Sequence, residues 1–105
     1  MLTTIYKHAG SPLTGLLKNA PPLNVELTIT PNPVLENTAL HLISDSRDDF
    51  WILLHSISGE LILKEVFNQV SEISFAIDLK NLLPGVYVVT IANNHGRKAE
   101  KIIKL

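Results

Sequence analysis

The sequence predicts an all-β fold built from about seven short antiparallel strands. Apolar residues recur at every second position in several segments, as they do in strands with one buried face. No segment of ten or more residues shows the apolar stripe of an amphipathic helix. The glycines after residue 23 all fall between the strand-like segments, at Gly59, Gly85 and Gly96.

Composition and charge exclude several classes of function. The chain has 105 residues, of which 46% are hydrophobic and 18% charged, which indicates one folded domain. Its net charge of -1 provides no field to attract nucleic acid, and no apolar run approaches the ~20 residues of a membrane-spanning helix. The absence of cysteine excludes disulfides and thiolate metal sites.

The first 22 residues differ from the rest of the chain. They contain prolines and glycines without a sustained strand or helix period, which is typical of a linker or of the remnant of an upstream region. We therefore place the domain at residues 23–105. The N-terminus lacks a basic start followed by an apolar segment, so no signal peptide is visible. We expect that the product stays inside the cell or that Met1 is not the natural start.

The first predicted strand begins after Leu23. Val25, Leu27 and Ile29 alternate with polar residues, which predicts a strand with one buried face. The strand ends at Pro31-Asn32-Pro33-Val34, because proline has no backbone N–H to donate to a ladder. The chain is expected to turn or to change sheets there.

The middle of the domain contains three further strands. A strand at residues 38–43 is followed by the polar segment Asp45–Asp49, which its composition predicts to be a loop. Residues 50–57 are apolar at nearly every position, as in a central strand covered on both faces. Ser58-Gly59 is a hairpin turn signal, and residues 60–67 form the returning strand.

The last part of the domain repeats this pattern. Residues 68–72 form a polar break, Pro84-Gly85 is a corner between two strands, and Asn93-Asn94-His95-Gly96 is a hairpin loop. The remaining predicted strands are residues 73–79, 86–92 and 97–105. Seven short strands separated by turns predict an antiparallel β-sandwich of immunoglobulin-like type.

Neither a metal site nor an active site is predicted. The four histidines have no metal-ligand spacing. Asp45, Asp48 and Asp49 favour a solvated loop over a calcium site, because Arg47 lies among them and the Asp-x-Asp-x-Asp-Gly order is absent, although calcium stays open as the alternative. We predict no cofactor.

Catalysis also lacks a sequence basis. Ser56 lies beside His55, but adjacent strand positions point to opposite faces. The chain has no Gly-x-Ser-x-Gly elbow and no glycine-rich phosphate loop, so we predict that it is not an enzyme.

Two features have a structural and a functional interpretation. Trp51 is predicted to pack in the core, with an exposed binding platform as the alternative. The basic residues near the chain end either protect an edge strand from pairing or form a recognition tail. They are Arg97, Lys98, Lys101 and Lys104.

Five motifs in a fixed order resemble the C-terminal sorting domain of the type IX secretion system of Bacteroidetes. The resemblance covers residues 23–105, and it rests on the order and spacing of the motifs more than on any one of them. The motifs are Pro31-Asn32-Pro33-Val34, Ser58-Gly59, Ile77-Asp78-Leu79 with Leu82, Pro84-Gly85-Val86-Tyr87, and Lys101-Ile102-Ile103-Lys104.

The resemblance implies a secretion signal at the C-terminus of a larger precursor. Such a domain directs cargo from the periplasm across the outer membrane to the cell surface or medium, and a sortase commonly removes it, here near residues 15–25. The implied signal residues are Pro84, Gly85, Val86, Tyr87, Lys98, Lys101, Ile102, Ile103 and Lys104. The implied structural residues are Pro31, Asn32, Pro33, Gly59 and Gly96.

A second hypothesis comes from the fold alone. An immunoglobulin-like adhesion module would hold a glycan or a protein through Trp51 and the Asp45–Asp49 loop. The high apolar content also predicts self-association, in which an unpaired edge strand pairs with its copy in a homodimer.

Overall fold

A computed structural model describes residues 23–105 of the chain. This part of the chain is all-β. It contains no helix, so it has no helix that is long and apolar enough to cross a membrane. The predicted linker, residues 1–22, lies outside the described residues. The strands are β1 (Glu26–Thr30), β2 (Asn37–Ser56), β3 (Leu61–Asp78), β4 (Gly85–Ala92) and β5 (Arg97–Lys104).

All strand pairs are antiparallel, as predicted. The long strand β2 pairs along most of its length with β3 on one side. On its other side, the first half of β2 pairs with β1 and the second half pairs with β4. β5 pairs with β4. β2 is therefore the central strand of the sheet, and it changes its neighbour midway.

The structure has five strands where seven were predicted. The supposed loop at residues 45–49 belongs to β2, and the supposed polar break at residues 68–72 belongs to β3. The two segments lie opposite each other, where the β2–β3 ladder shifts its register between Ile43 and Phe50. Polar composition there reflects exposure at a bulged, solvated part of the hairpin, where Asp48 opposite Val70 is the one partner pair between Ile43 and Phe50.

Side-chain contacts hold the two polar segments together. A nitrogen of the Arg47 guanidinium donates to the carbonyl oxygen of Gln69 at 2.8 Å. The backbone N–H and the side-chain amide of Gln69 both donate to Oδ1 of Asp49, at 2.9 and 3.0 Å. Gln69 has a positive φ of 53°, which is uncommon for a residue with a Cβ. The carboxylate of Asp49 thus stabilises an unusual backbone conformation in β3.

The core follows the predicted alternation. Leu27 and Ile29 of β1 pack against the buried cluster, whereas their polar neighbours are exposed. In the second half of β2, Phe50, Ile52 and Leu54 join the cluster from one face. The residues between them are also buried, so this segment is covered on both faces, as its continuous apolar run predicted.

Candidate recognition site

The two motifs predicted to carry the signal lie side by side in the structure. β4 and β5 form a hairpin in which Val86 is opposite Ile103 and Tyr87 is opposite Ile102. The Pro-Gly-Val-Tyr motif and the terminal Lys-Ile-Ile-Lys motif therefore form one continuous surface. The hairpin loop predicted at residues 93–96 already made these strands neighbours, and the observed register follows from the length of that loop.

The two faces of this hairpin differ in exposure. Ile102 is fully buried and Tyr87 is 7% exposed, so both belong to the core. On the opposite face, Ile103 is 44% exposed, Val86 is half-buried and Lys101 is exposed. Only the outer face can contact a partner without unfolding of the domain. Of the predicted signal residues, Ile102 and Tyr87 therefore face the core and hold the hairpin against it.

The three lysines of β5 have different environments. The ammonium group of Lys98 lies 3.5 Å from the carbonyl oxygen of Val25, and that of Lys104 donates to the oxygen of Leu105 at 3.0 Å. Within residues 23–105, the ammonium group of Lys101 has no hydrogen bond or ion pair. Lys101 is thus the lysine best placed to meet an external carboxylate.

The corner before β4 is held by a side-chain hydrogen bond. The hydroxyl of Tyr87 donates to the carbonyl oxygen of Leu83 at 2.5 Å. Gly85 has a φ of +153°, outside the conformations that residues with a Cβ commonly adopt. The Leu83 side chain is 80% exposed. The sequence predicts a turn at Pro84 and Gly85, but no local pattern indicated the Tyr87 hydrogen bond that closes it.

The Pro-Asn-Pro-Val segment contacts the other edge of β5. The side-chain NH2 of Asn32 donates to the carbonyl oxygen of Lys101 at 2.8 Å, and the backbone N–H of Ile103 donates to Asn32 Oδ1 at 3.0 Å. The peptide bonds before Pro31 and before Pro33 are both cis. The Pro-Asn-Pro-Val motif thus contacts β5 as well. Its position in the sequence, before β2, did not indicate this contact.

The two remaining structural glycines lie in the predicted hairpin loops. Gly59 has a φ of +98°, and its N–H donates to the carbonyl oxygen of Ser56 at 3.0 Å. The N–H of Gly96 donates to Oδ1 of Asn93 at 3.0 Å, and the carbonyl oxygen of Gly96 accepts from the N–H of Asn93. Both loops are closed by local hydrogen bonds around these glycines.

The acidic residues of the β2 bend take part in structural hydrogen bonds. Asp48 Oδ1 accepts the N–H of Asp49, and Asp48 Oδ2 accepts the side-chain amide of Asn93 at 3.1 Å. Asp49 Oδ1 accepts two donors from Gln69. Within residues 23–105, no group of three or more acidic or histidine side chains is arranged to hold a metal ion.

The described histidines lie apart from one another. His41 pairs with Glu72 at 2.8 Å, and His95 lies 3.6 Å from Asp48. Burial lowers the pKa of His55 below its ordinary value of 6.5, because the cationic form loses hydration between apolar strands. His8 lies outside the described residues.

Trp51 is buried. Its side chain is 6% exposed, on the face of β2 opposite Phe50. This agrees with the prediction that Trp51 packs inside the domain. The ring is not available as a platform for a glycan or a peptide, which removes the main feature of the adhesion-module hypothesis.

Comparisons with known proteins match a large part of the chain. A family model described as the secretion system C-terminal sorting domain matches residues 28–105. The crystal structure of dimeric latent PorU from Porphyromonas gingivalis is similar, with a TM-score of 0.63 and 19% sequence identity. The alignment covers 83% of this chain and 10% of the PorU chain, so at this identity it supports the fold alone. No curated protein matches.

Proposed function

The chain belongs to the family of type IX secretion system C-terminal sorting domains, and from this membership we propose that it is a non-catalytic signal that directs an attached protein across the outer membrane. The observation that carries the proposal is the β4–β5 hairpin, in which two sequence motifs of the family share one exposed face. On that face Lys101 supplies a charge that has no partner among residues 23–105, and Ile103 supplies exposed apolar surface.

We propose the following route for the precursor. The cargo precedes the domain, enters the periplasm, and is exported by the outer-membrane machinery of the type IX system to the cell surface or medium. A sortase then separates cargo and signal near residues 15–25, in or beside the proposed linker at residues 1–22. The signal residues are those of the two hairpin motifs together with Lys98, and among them Tyr87 and Ile102 act from the core by holding the strands in place.

We further propose that the strands form an immunoglobulin-like sandwich. One half of β2 and of β3 lies in a layer with β1, and the other half of each lies in a layer with β4 and β5. This arrangement supports a fold of two layers. The described part of the chain measures 33 × 32 × 20 Å, thicker than one sheet. The hydrogen bond from Tyr87 back to Leu83 resembles the tyrosine corner of immunoglobulin-like domains.

Self-association through an edge strand is also proposed. Among the described strands, β3 pairs only with β2, so its other edge pairs with no described strand. Such an edge is a surface on which a second copy can add a strand. Light scattering across a concentration series tests this point, and a monomer at every concentration would contradict it.

Export of a fused reporter tests the proposed function. The complete chain is attached to the C-terminus of a periplasm-directed reporter in a Bacteroidetes host, with and without residues 101–105. We expect the intact fusion to reach the medium and the truncated fusion to remain in the cell. Equal export of both would refute the proposal.

Point variants separate signal from stability, because the truncation also removes the buried Ile102. Lys101→Glu and Ile103→Ser change only exposed side chains of β5. Lys80→Glu is the matched control, since Lys80 is exposed in the turn after β3. We expect the two β5 variants to lower export severalfold and the control to leave it unchanged.

A further inference from the structure

The outer edge of β5, on the side away from β4, is covered near both ends by other parts of the chain. Near its start, the N–H of Leu23 donates to the carbonyl oxygen of Arg97 at 2.8 Å. Near its end, the N–H of Val34 donates to the carbonyl oxygen of Ile103 at 2.8 Å, and the N–H of Leu105 donates to the carbonyl oxygen of Val34 at 2.9 Å. β5 is last in the strand order, but both ends of its outer edge are covered by hydrogen bonds.

The side chain of Asn32 completes this cover. Its NH2 donates to the carbonyl oxygen of Lys101 at 2.8 Å, and its Oδ1 accepts the N–H of Ile103 at 3.0 Å. A carboxamide has a donor and an acceptor like those of a peptide group, so Asn32 takes the place of a residue in a neighbouring strand. Aspartate lacks the donor and alanine lacks both groups.

The segment that carries Asn32 is anchored in the domain. Val34 is fully buried, and the hydroxyl of Thr38 donates to the carbonyl oxygen of Pro31 at 2.7 Å, with Thr38 only 2% exposed. Pro31 and Pro33 have no backbone N–H, so the segment offers few donors to a further strand. It therefore closes the edge of β5 and does not create a new edge beyond it.

We propose that Asn32 is a positioning residue that closes the outer edge of β5, so that the partner binds the outer face of the β4–β5 hairpin and does not add a strand to β5. This inference rests on the proposed secretion function. The outer face carries the ammonium group of Lys101, unpaired within the described part of the chain, beside the exposed Ile103 and the half-buried Val86. The partner is a protein surface with a carboxylate opposite Lys101 and apolar side chains opposite Ile103 and Val86.

Amide hydrogen exchange tests the closure of the edge in the complete chain. In Asn32→Ala the amide of Ile103 loses its acceptor, and we expect its exchange to become roughly tenfold faster while core amides on β2 and β3 keep their protection. Asn32→Asp retains the acceptor for Ile103 but replaces the donor to Lys101 with a carboxylate oxygen. We expect it to protect Ile103 better than Asn32→Ala does. Unchanged exchange at Ile103 in Asn32→Ala would overturn the inference.

Export of the reporter fusion tests the mode of binding. Asn32→Ala leaves the end of β5 poorly positioned, so we expect export to fall severalfold. Ile73→Val, a conservative change in the buried core away from the β5 edge, is the control for lost stability. At matched thermal stability we expect this control to be exported like the wild type.

The export outcomes separate the inference from the proposed function. Higher export of Asn32→Ala would mean that the partner adds a strand to the opened edge, and unchanged export would mean that the position of β5 does not matter. Either result overturns the inference, as would an equal loss in Ile73→Val. If the wild-type fusion itself is not exported, the proposed function fails, whereas the exchange experiment still decides whether Asn32 closes the edge.

Discussion

The hydroxyl of Tyr87 donates a hydrogen bond to the carbonyl oxygen of Leu83 four residues earlier, at 2.5 Å. The bond spans the Pro84-Gly85 corner, and Tyr87 is only 7% exposed. One side chain thus joins the corner to the core, because its ring packs inside while its polar end satisfies a backbone carbonyl. The corner determines where β4 begins and hence where β5 can pair with it.

Removal of this hydroxyl tests its contribution to stability. We expect Tyr87→Phe to lower the free energy of unfolding by about 1 kcal/mol, since it leaves a carbonyl without its donor and preserves the ring. Chemical denaturation of the complete chain measures the change. A stability equal to that of the wild type would show that water satisfies Leu83 as well as the tyrosine does.

Substitution of Gly85 tests the backbone of the corner. A Cβ built at Gly85 meets no atom within 4 Å, so there is no steric clash, but the φ of +153° is unfavourable for other residues. We expect Gly85→Val to destabilise the domain by roughly 1–3 kcal/mol and to reduce export together with folding. Gly85→Ala is the matched control for side-chain size. If only the valine variant is unstable, crowding and not backbone strain is the cause.

The lowered pKa of His55 predicts that stability depends on pH. Below the ordinary pKa of 6.5 the unfolded chain takes up a proton before the folded one does. The contribution of His55 to the free energy of unfolding is therefore fully present above pH 6.5. It is lost as the pH falls through the lower pKa of the folded state. The cause is burial, and the cross-strand neighbours of His55 are the apolar Leu61 and Val88.

A glutamine variant measures this contribution. Denaturation curves are recorded for the wild type and for His55→Gln at several values between about pH 7 and about pH 5, the range in which histidine titrates. We expect the wild type to lose more stability than the variant across this range. Parallel losses in the two proteins would assign the pH dependence to other groups.

The carboxylate of Asp49 is expected to stabilise the bend of the β2–β3 hairpin. Because Oδ1 of Asp49 accepts both donors of Gln69, Asp49→Ala should lower the free energy of unfolding by about 1 kcal/mol. Asp45→Ala is the matched control, since Asp45 is exposed and its carboxylate has no hydrogen bond among residues 23–105. Equal effects of the two substitutions would contradict a specific role for Asp49.

Calcium is expected to leave the stability unchanged. The carboxylates of Asp48 and Asp49 already accept hydrogen bonds from Asn93 and Gln69, which orient them towards donors of the protein itself. Thermal unfolding with added calcium and with a chelator tests this expectation. A higher unfolding temperature in calcium alone would restore the calcium-site alternative.

Much of the fold could be predicted from local patterns. The alternation of Leu27 and Ile29 with polar residues identified a strand with one buried face, and the apolar run from Phe50 identified a central strand. The number of strands was wrong because polar composition at residues 45–49 and 68–72 was interpreted as a boundary between two strands, whereas it marks a bulge within one long strand. Those residues are solvated and remain hydrogen-bonded across the bend.

The sequence by itself determined the all-β class, the turns at the glycines and the family, because alternation and turn chemistry are local properties of the chain. Only the tertiary structure decided that Asn32 closes the edge of β5 and that Tyr87 holds the corner. Contacts such as that between Asn32 and Ile103 join residues far apart in sequence. They depend on how β2 bends and which edges it leaves free, and no local pattern encodes that arrangement.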